Sequence, residues 1–468
     1  MLLLIPLLLL SAPPSAAQTP LSYTDLLAAL ELNNTDLRKA REALVQAQLD
    51  VQDARAGYHP KIDLTLGGSY TANPLIKGVT LGVGEFGSIP VANPATSGMV
   101  EVPIPNQELK VFDGLPNFGY TFQLDLQQPI FTWGKITNGV KIYSSVAEVR
   151  QLQLSSLRKQ KRGSLKAQVL ALQYLLQMEE LLSQQETYAR ELVELTVAAK
   201  AQGVLLEQEV LEARMQEALV PLSLQQVRHN KEVILLELRE LTGLPQLEAQ
   251  QIGFISETQA FREDFVALAQ KDSVQLESLA LNPAQESLAI LQNLHDAAEF
   301  SRKIASGNMY GKPDIALQIS FGLTGDMEKL FKGETDPKSD LVANLSLGLK
   351  TTLWDGGKKL NQLRRTQSQL RDAELDLEQA RSSIRLELSR QINAMTMASL
   401  RIDYQRLKIQ TAEADLQRAQ RVASSGYGSR RDVLQAHMAK ITEELQLLEE
   451  EINLATAACT VEVMTRLE

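Results

Sequence analysis

The sequence predicts an exported α+β fold built from two copies of one unit, in which a β-hairpin of membrane-strand length is joined to a very long helical hairpin. Three observations predict it: landmarks repeated at a fixed offset, four segments that alternate apolar and polar residues, and two nearly proline-free helical runs. Composition agrees. Aromatics make up only 5% of the 468 residues while Leu, Ala, Gln and Glu are abundant, which favours long helices over a string of compact cores.

At the amino end, Met1-Leu2-Leu3-Leu4-Ile5 through Leu10 is an apolar run too short to span a bilayer, and Ser15-Ala16-Ala17 supplies small residues for cleavage. Residues 1–17 therefore read as a secretory signal peptide, and Gln18, not being cysteine, gives no sign of a lipid anchor. Beyond it no run of 18 or more apolar residues occurs, so any membrane insertion has to use strands. The sole cysteine, Cys459, allows no internal disulfide, and packing or assembly must hold the chain. A net charge of −10 argues against nucleic acid as a partner, because phosphate binding needs a basic face.

Phe131-Thr132-Trp133-Gly134-Lys135 is echoed 223 residues on by Trp354-Asp355-Gly356-Gly357-Lys358, and Gly203 is echoed by Gly426 at the same offset. Six positions after each glycine stands an acid, Glu209 and Asp432, and Val210-Leu211-Glu212-Ala213 and Val433-Leu434-Gln435-Ala436 follow. The pair His59-Pro60-Lys61-Ile62-Asp63-Leu64 and Lys312-Pro313-Asp314-Ile315-Ala316-Leu317 shows an offset of 253 instead, so 30 extra residues lie between Pro60 and Phe131. The chain divides accordingly. Residues 18–243 form a first repeat, with a helix, a strand hairpin at about 61–130 and a helical hairpin at about 134–242. Residues 244–272 form an equatorial linker. Residues 273–468 form the second repeat, with a strand hairpin at about 313–353 and a helical hairpin at about 356–466.

In the first strand Ile62, Leu64, Leu66 and Tyr70 share one face against Lys61, Asp63, Thr65, Ser69 and Thr71. The second sets Phe118, Tyr120, Phe122, Leu124 and Leu126 against polar neighbours; the third does so with Ile315, Leu317, Ile319, Phe321 and Leu323; the fourth with Leu341, Ala343, Leu345, Leu347 and Leu349. A soluble sandwich gives the same alternation. Four strands are too few to close a barrel, however, and hydrocarbon tolerates no open edge, so in a membrane several chains would have to share one barrel. Tyr58, Tyr70, Phe118, Tyr310, Trp133 and Trp354, near strand ends, are placed to form an interfacial girdle. The Thr71–Asn117 connection, rich in Gly and Pro, reads as an aperiodic surface loop; its counterpart, Gly325–Asp340, is short and charged, with Asp326, Glu328, Glu334 and Asp336.

From Lys135 to Gly203, and again from Lys358 to Gly426, run 68 residues of helical sequence, each roughly 100 Å long at the α-helical rise. Leu363, Leu370, Leu377 and Ile384 recur every seven residues, the spacing of a coiled-coil seam. Return helices are expected at about 207–242 and 430–466, and shorter helices at Asp36–Ala56 and about Pro283–Ser306 precede the strand hairpins.

The two helical turns, Gly203 to Ala213 and Gly426-Tyr427-Gly428-Ser429-Arg430-Arg431-Asp432 to Ala436, resemble the tips of TolC-like outer-membrane efflux proteins, the outer membrane factors. With the signal, the Ala54-Arg55-Ala56 to Pro60 run into a strand and the Trp354–Lys358 corner, the resemblance spans essentially the mature chain. It implies a membrane α+β fold in which four β-strands per chain contribute to a trimeric twelve-stranded outer-membrane barrel, continued by a long α-helical barrel through the periplasm. It implies the exit duct of a tripartite efflux or type I secretion system: a passive trimeric channel in the outer membrane, reaching into the periplasm and gated at its periplasmic tips. The implied partners are two further copies of the chain, outer-membrane lipid, a periplasmic adaptor (membrane fusion) protein and an inner-membrane pump of RND, ABC or MFS type. In similar members two aspartates of the second turn ring the closed entrance. Asp432 matches the first and Gln435 stands at the second, while Glu209 and Glu212 at the matching places of the first turn can supply negative charge. Arg430 and Arg431 are candidates to hold Asp432 or a neighbouring chain's acid in a closed state. Gly203, Val204, Gly426, Tyr427, Gly428 and Ser429 are the candidate adaptor-docking turns.

A purely local role competes for the same residues: Ser429-Arg430-Arg431-Asp432 reads as a capping box, and Gly203 and Gly426 as helix C-terminal glycines. The four histidines, His59, His229, His295 and His437, are isolated, no metal-ligand spacing occurs, and Met395 and Met397 read as packing. With no phosphate-cradling loop or nucleophile elbow either, no catalytic site and no cofactor are expected. The alternative reading is an exported helical structural or adhesive rod without a pore.

Overall fold

The computed structural model describes residues 21–72, 77–83, 88–92, 99–103, 105, 107–114, 117–252, 258–333 and 340–465; residues 1–17, read as a signal, lie outside them. Internal contacts divide the chain into two units, Val51–Ile142 with Glu299–Gln367, and Met1–Asp50 with Tyr143–Ala298 and Ser368–Glu468.

In the first of these, alternation becomes a sheet. Strands β1 (Lys61–Tyr70), β6 (Phe118–Phe131), β7 (Asp314–Asp326) and β8 (Leu341–Lys350) pair antiparallel in the order β1-β6-β7-β8. The register aligns the apolar positions into rows: Ile62, Leu126, Ile319 and Leu345 stand opposite one another, as do Leu64, Leu124, Phe321 and Ala343, and Leu66, Phe122, Leu323 and Leu341. Lys61, Gln127, Gln318 and Ser346 make a row on the other face, beside Asp63, Asp125, Ser320 and Asn344. Asp63 opposes Asp125, which accepts hydrogen bonds from Gln123 Nε2 at 2.7 Å and Ser320 Oγ at 2.6 Å. The pairing slips between Pro129 and Phe131, where proline has no N–H to give the ladder.

The first connection differs from the aperiodic loop expected. It contains two short ladders, β2 (Lys77–Leu81) with β5 (Leu109–Gly114) and β3 (Ser88–Ala92) with β4 (Met99–Pro103), which need no buried face and so leave no alternation to read. Pro74, Gly84, Asn93 and Pro94 fall outside the described residues. Between β7 and β8 stands a helical turn, α9 (Met327–Lys332), N-capped by Asp326, whose carboxylate accepts the Glu328 N–H at 2.9 Å; Glu328 pairs with Lys332. Glu334 and Asp336 lie outside the described residues.

Two successive left-handed residues make each strand-to-helix corner, Trp133 (φ 53) with Gly134 (φ 75) and, 223 positions on, Gly356 (φ 71) with Gly357 (φ 87). A tryptophan in this conformation is strained, and it is held by a hydrogen bond from Nε1 to Pro313 O at 2.9 Å and by an edge contact with Phe131. Beside it Lys135 Nζ reaches the Asp314 carboxylate at 2.8 Å. At the second corner Asp355 accepts the backbone N–H groups of Gly357 and Lys359, each at 3.1 Å, and the Tyr310 hydroxyl.

The second unit is helical and carries the buried core. The long helices α3 (Lys135–Ala201) and α10 (Lys358–Ser424) have 67 residues each, and the return helices α4 (Glu207–Thr242) and α11 (Arg430–Thr465) have 36 each, with all bounds related by the same offset. Buried positions on α3 recur every seven residues at Leu175, Leu182, Ala189 and Thr196, facing Val210, Ala213, Val220, Leu224 and Val227 of α4 in alternating threes and fours and sevens. On α10 the Leu363–Ile384 stripe is half-buried and its seam continues through Leu388, Met395, Ala398, Ile402 and Gln405, all buried. Met395 thus packs as expected, whereas Met397 is exposed.

Helices α1 (Tyr23–Asn33) and α2 (Thr35–Ala56) close one end of this core with Leu26, Leu30 and Leu37 against Leu165, Leu172 and Leu238. Buried Asn34 caps α2 through Oδ1 and donates to Leu241 O at 3.0 Å. Residues 244–272 include α5 (Ala249–Ile252) and α6 (Thr258–Ala269), followed by α7 (Ser273–Ala280) and α8 (Glu286–Gly307). Phe265, Leu268 and Leu276 insert beside Leu170, Leu388 and Ala458. Among the described residues no helix is long and apolar enough to cross a membrane, and no group of three or more His, Cys, Asp or Glu is arranged to hold a metal.

Candidate functional site: the two helical turns

Both turns end their long helices in the same way. Gly203 (φ 75) donates to Lys200 O at 2.8 Å and Val204 N–H to Ala199 O at 3.0 Å; Gly426 (φ 82) donates to Ala423 O at 3.1 Å and Tyr427 N–H to Val422 O at 3.2 Å. These are Schellman closures, which require a left-handed residue after the helix and thus glycine. The chain then restarts at Leu206 and at Ser429. Leu206 N–H donates to Glu209 Oε2 at 2.9 Å, and Ser429 N–H to Asp432 Oδ2 at 3.2 Å. Only the second turn completes the reciprocal bond, from Asp432 N–H to Ser429 Oγ at 3.2 Å, because leucine has no oxygen to offer.

These bonds set the electrostatics. The Ser429 hydroxyl and then its backbone N–H hold the Asp432 carboxyl below the usual range. The Leu206 N–H and then Arg431 do the same for Glu209. Both acids stay ionised at neutral pH and sit in a first helical turn, where the macrodipole favours negative charge.

The basic residues tie one hairpin to the other. Arg430 donates to Glu191 of α3 through Nε at 2.8 Å and Nη2 at 3.1 Å, and Arg431 Nη1 reaches Glu209 at 3.0 Å. Within the chain neither arginine bonds Asp432, since the capping box already occupies that carboxylate and the two guanidiniums reach across to the first hairpin. Next to them the His437 ring lies 4.9 Å from the Tyr188 ring, inclined by 30°. Burial, and then the charges of Arg430 and Lys440, push the His437 pKa down. Glu212 accepts a hydrogen bond from Gln208 at 3.0 Å, and Gln435 is exposed beside a cavity of about 350 Å³ shared with Gln185, Gln216 and Thr442. Val204 and Tyr427 project into solvent, Tyr427 at 91% exposure. Glu191 and Tyr188 were not identified from sequence, and His437 was read only as an isolated histidine, because nothing local marks a partner more than two hundred residues away.

Residues 26–244 match the family model described as outer membrane efflux protein. That match covers just under half of the chain, which is thus similar to outer membrane efflux proteins. No curated protein matches it in sequence. Among solved structures it resembles the outer membrane protein VceC from Vibrio cholerae, at 17% identity over 95% of this chain and 94% of that one, with a TM-score of 0.67. The open state of the Neisseria gonorrhoeae MtrE outer membrane channel matches at 12% identity, 95% and 88% coverage and a TM-score of 0.71. The Campylobacter jejuni CmeC outer membrane channel matches at 15% identity, 95% and 85% coverage and a TM-score of 0.68. At these identities the likeness is one of fold. The mostly helical chain with its four-stranded sheet is TolC-like, as the turns and their spacing led one to expect.

Proposed function

We propose that this chain is a member of the outer membrane efflux protein family and a subunit of a passive homotrimeric channel in the outer membrane, extending into the periplasm, and not an enzyme. The carrying observation is the sheet: β1 and β8 are its terminal strands, and its apolar rows are exposed, with Ile62 at 59%, Leu345 at 70% and Leu349 at 68%. Open edges are tolerated in hydrocarbon only if another chain pairs them, so β8 of one copy pairs with β1 of the next. Four strands per chain keep β8 opposite in direction to β1, so three copies close a twelve-stranded barrel with every pair antiparallel. The apolar rows then meet lipid, and the row of Asp63, Asp125, Ser320 and Asn344 lines a wet lumen.

Exposed apolar stripes support the same assembly in the helical unit: Met215, Leu219, Leu222 and Leu236 on α4, and Met397, Leu400, Tyr404 and Leu407 on α10. Neighbouring copies cover them in a helical barrel. A rod without a pore would leave the sheet's apolar face in water, which makes it the weaker reading. The helical turns, through Gly203, Val204, Gly426, Tyr427, Gly428 and Ser429, dock a periplasmic adaptor served by an inner-membrane pump of RND, ABC or MFS type. The duct serves tripartite efflux or type I secretion. At the entrance Asp432, with Glu209 and Glu212, forms a negative constriction beside Gln435, and the Arg430 and Arg431 pairs hold it narrow.

The test is purification from outer membranes followed by single-channel recording. A detergent-extracted, heat-resistant trimer that conducts is expected, with Glu209→Ala plus Asp432→Ala altering conductance and cation block. A soluble, non-conducting filament would overturn the channel; unaltered conductance and block in the double variant would remove the gate from these residues.

A further inference from the structure

The apolar face of the sheet does not stop at its strands. Tyr120, on that face, is only 8% exposed, whereas Leu64, Leu66, Phe122, Leu124 and Phe321 range from 42% to 69%. What covers the row of Gly68, Tyr120 and Gly325 is the β7–β8 connection, while Tyr70 and Phe118 in the next row stay exposed. The Tyr120 hydroxyl donates to Asp340 Oδ2 at 3.0 Å, and a Cβ on Gly68, which stands opposite Tyr120, would meet Met327 Cε at 3.0 Å. So α9 begins over the apolar face and not over the polar one. In a helix, residues three and four apart share a side, which puts Leu330 and Phe331 in line with Met327. Leu330 is 44% exposed and Phe331 83%, so the stripe starts against the sheet and ends with a bare phenyl ring.

We infer that α9 is an interfacial lipid anchor of the outer leaflet, with Leu330 and Phe331 inserted at the boundary between headgroups and acyl chains at the rim of the sheet. The inference rests on the membrane reading of the sheet, and it commits to lipid because the stripe is continuous with the exposed apolar rows. The fold argues for the outer side: β1 follows α2 and β6 leads into α3, so the connection carrying α9 is at the strand ends away from the helices. An aromatic ring on a short polar-flanked helix is suited to that depth, where its body is apolar and its backbone stays near water.

Cys459 is the sole cysteine and is buried, so one introduced thiol can be labelled selectively in the full chain. Phe331→Cys, Leu345→Cys and Val204→Cys, each carrying an environment-sensitive fluorophore, are reconstituted in phospholipid vesicles containing lipid with a nitroxide high on the acyl chain. Loss of emission at 331 and 345, with none at 204, is expected. Quenching at 345 with 331 answering only to aqueous iodide would overturn the anchor and leave the membrane reading standing. Emission at 331 that neither quencher reaches would mean that a second copy of the chain covers the ring, and would equally overturn it. No lipid quenching at 345 would overturn the membrane reading itself.

Discussion

Arg430, the first residue of α11, lays its guanidinium against both carboxylate oxygens of Glu191, which stands on the helix that feeds the other turn. With the Arg431–Glu209 pair it links the two hairpins near their turns, and the Glu191 carboxyl is held below its usual range by it. Both side chains are more than a third exposed, at 56% and 37%, so solvent screens the attraction. Removing it with Arg430→Ala is expected to cost less than about 1 kcal/mol of global stability. Its effect is local. Amide exchange over 186–192 and 429–436 should accelerate and single-channel conductance should rise, with Glu191→Ala giving the same result and the double variant no more than either. Strictly additive effects on exchange would show that the two residues act separately.

His437 makes these turns sensitive to acid. Its pKa is lowered by burial and by Arg430 and Lys440, so the neutral ring is the form the folded turns favour. The groups around it are Tyr188 from α3, Gln420 from α10, and Arg430 and Lys440 from its own helix. A depressed histidine stabilises fully above its unfolded value, near 6.5, and that contribution is lost as pH falls through the window below it. Asp432 and Glu209, also depressed, lose theirs only lower, as pH passes below the ordinary carboxylate range. Amide exchange at 433–440 is therefore expected to rise as pH falls below about 6.5 in the parent, and to stay level in His437→Gln until the carboxylates titrate. A parent profile identical to that of the variant would remove His437 from the pH response.

The strands were legible because a sheet with one apolar face writes a period of two into the sequence, and the register aligns Ile62, Leu126, Ile319 and Leu345 as that period requires. The capping box at Ser429 was legible because it is local. The coiled-coil seam of α10 was legible only as far as Ile384; beyond it buried Ala398 and Gln405 occupy seam positions without looking apolar or large, and Gln405 satisfies its amide on Glu443 O at 2.9 Å. The ladders inside the first long connection could not be read, since Pro and Gly break the pattern while backbone bonds still form. Nor could the Glu191 partner of Arg430, because charge pairing over such a separation depends on which helices lie side by side.

Two left-handed glycines separate backbone strain from crowding. Gly426 has open space where a Cβ would stand, so Gly426→Ala meets only the left-handed penalty, about 1–2 kcal/mol. Gly243, which ends α4, is also left-handed, but a Cβ there would lie 2.5 Å from Cβ of Asn33, beside the Asn33 and Asn34 amides that bond Thr242 O and Leu241 O. Gly243→Ala must displace α1 as well, and is expected to destabilise by more than Gly426→Ala. Thermal denaturation of the two variants side by side checks the order; equal shifts would mean that the α1 junction yields freely.

The caps of the two turns differ by one side-chain oxygen that can be exchanged. At Leu206 the backbone N–H already donates to Glu209, while the reverse bond is missing because the residue has no side-chain oxygen; at Ser429, at the equivalent place, both bonds are made. Ser429→Ala is expected to cost about 1 kcal/mol, the ordinary loss of a hydroxyl N-cap. Leu206→Ser should stabilise α4 by up to a similar amount, and Leu206 is 72% exposed, so little packing is surrendered in the chain itself. Amide exchange at 207–210 reads the gain directly. If protection rises there but adaptor capture by the turns weakens, the leucine is kept for its exposed apolar surface at the expense of the cap; if protection does not rise, the introduced hydroxyl does not reach the Glu209 N–H and the cap is not completed.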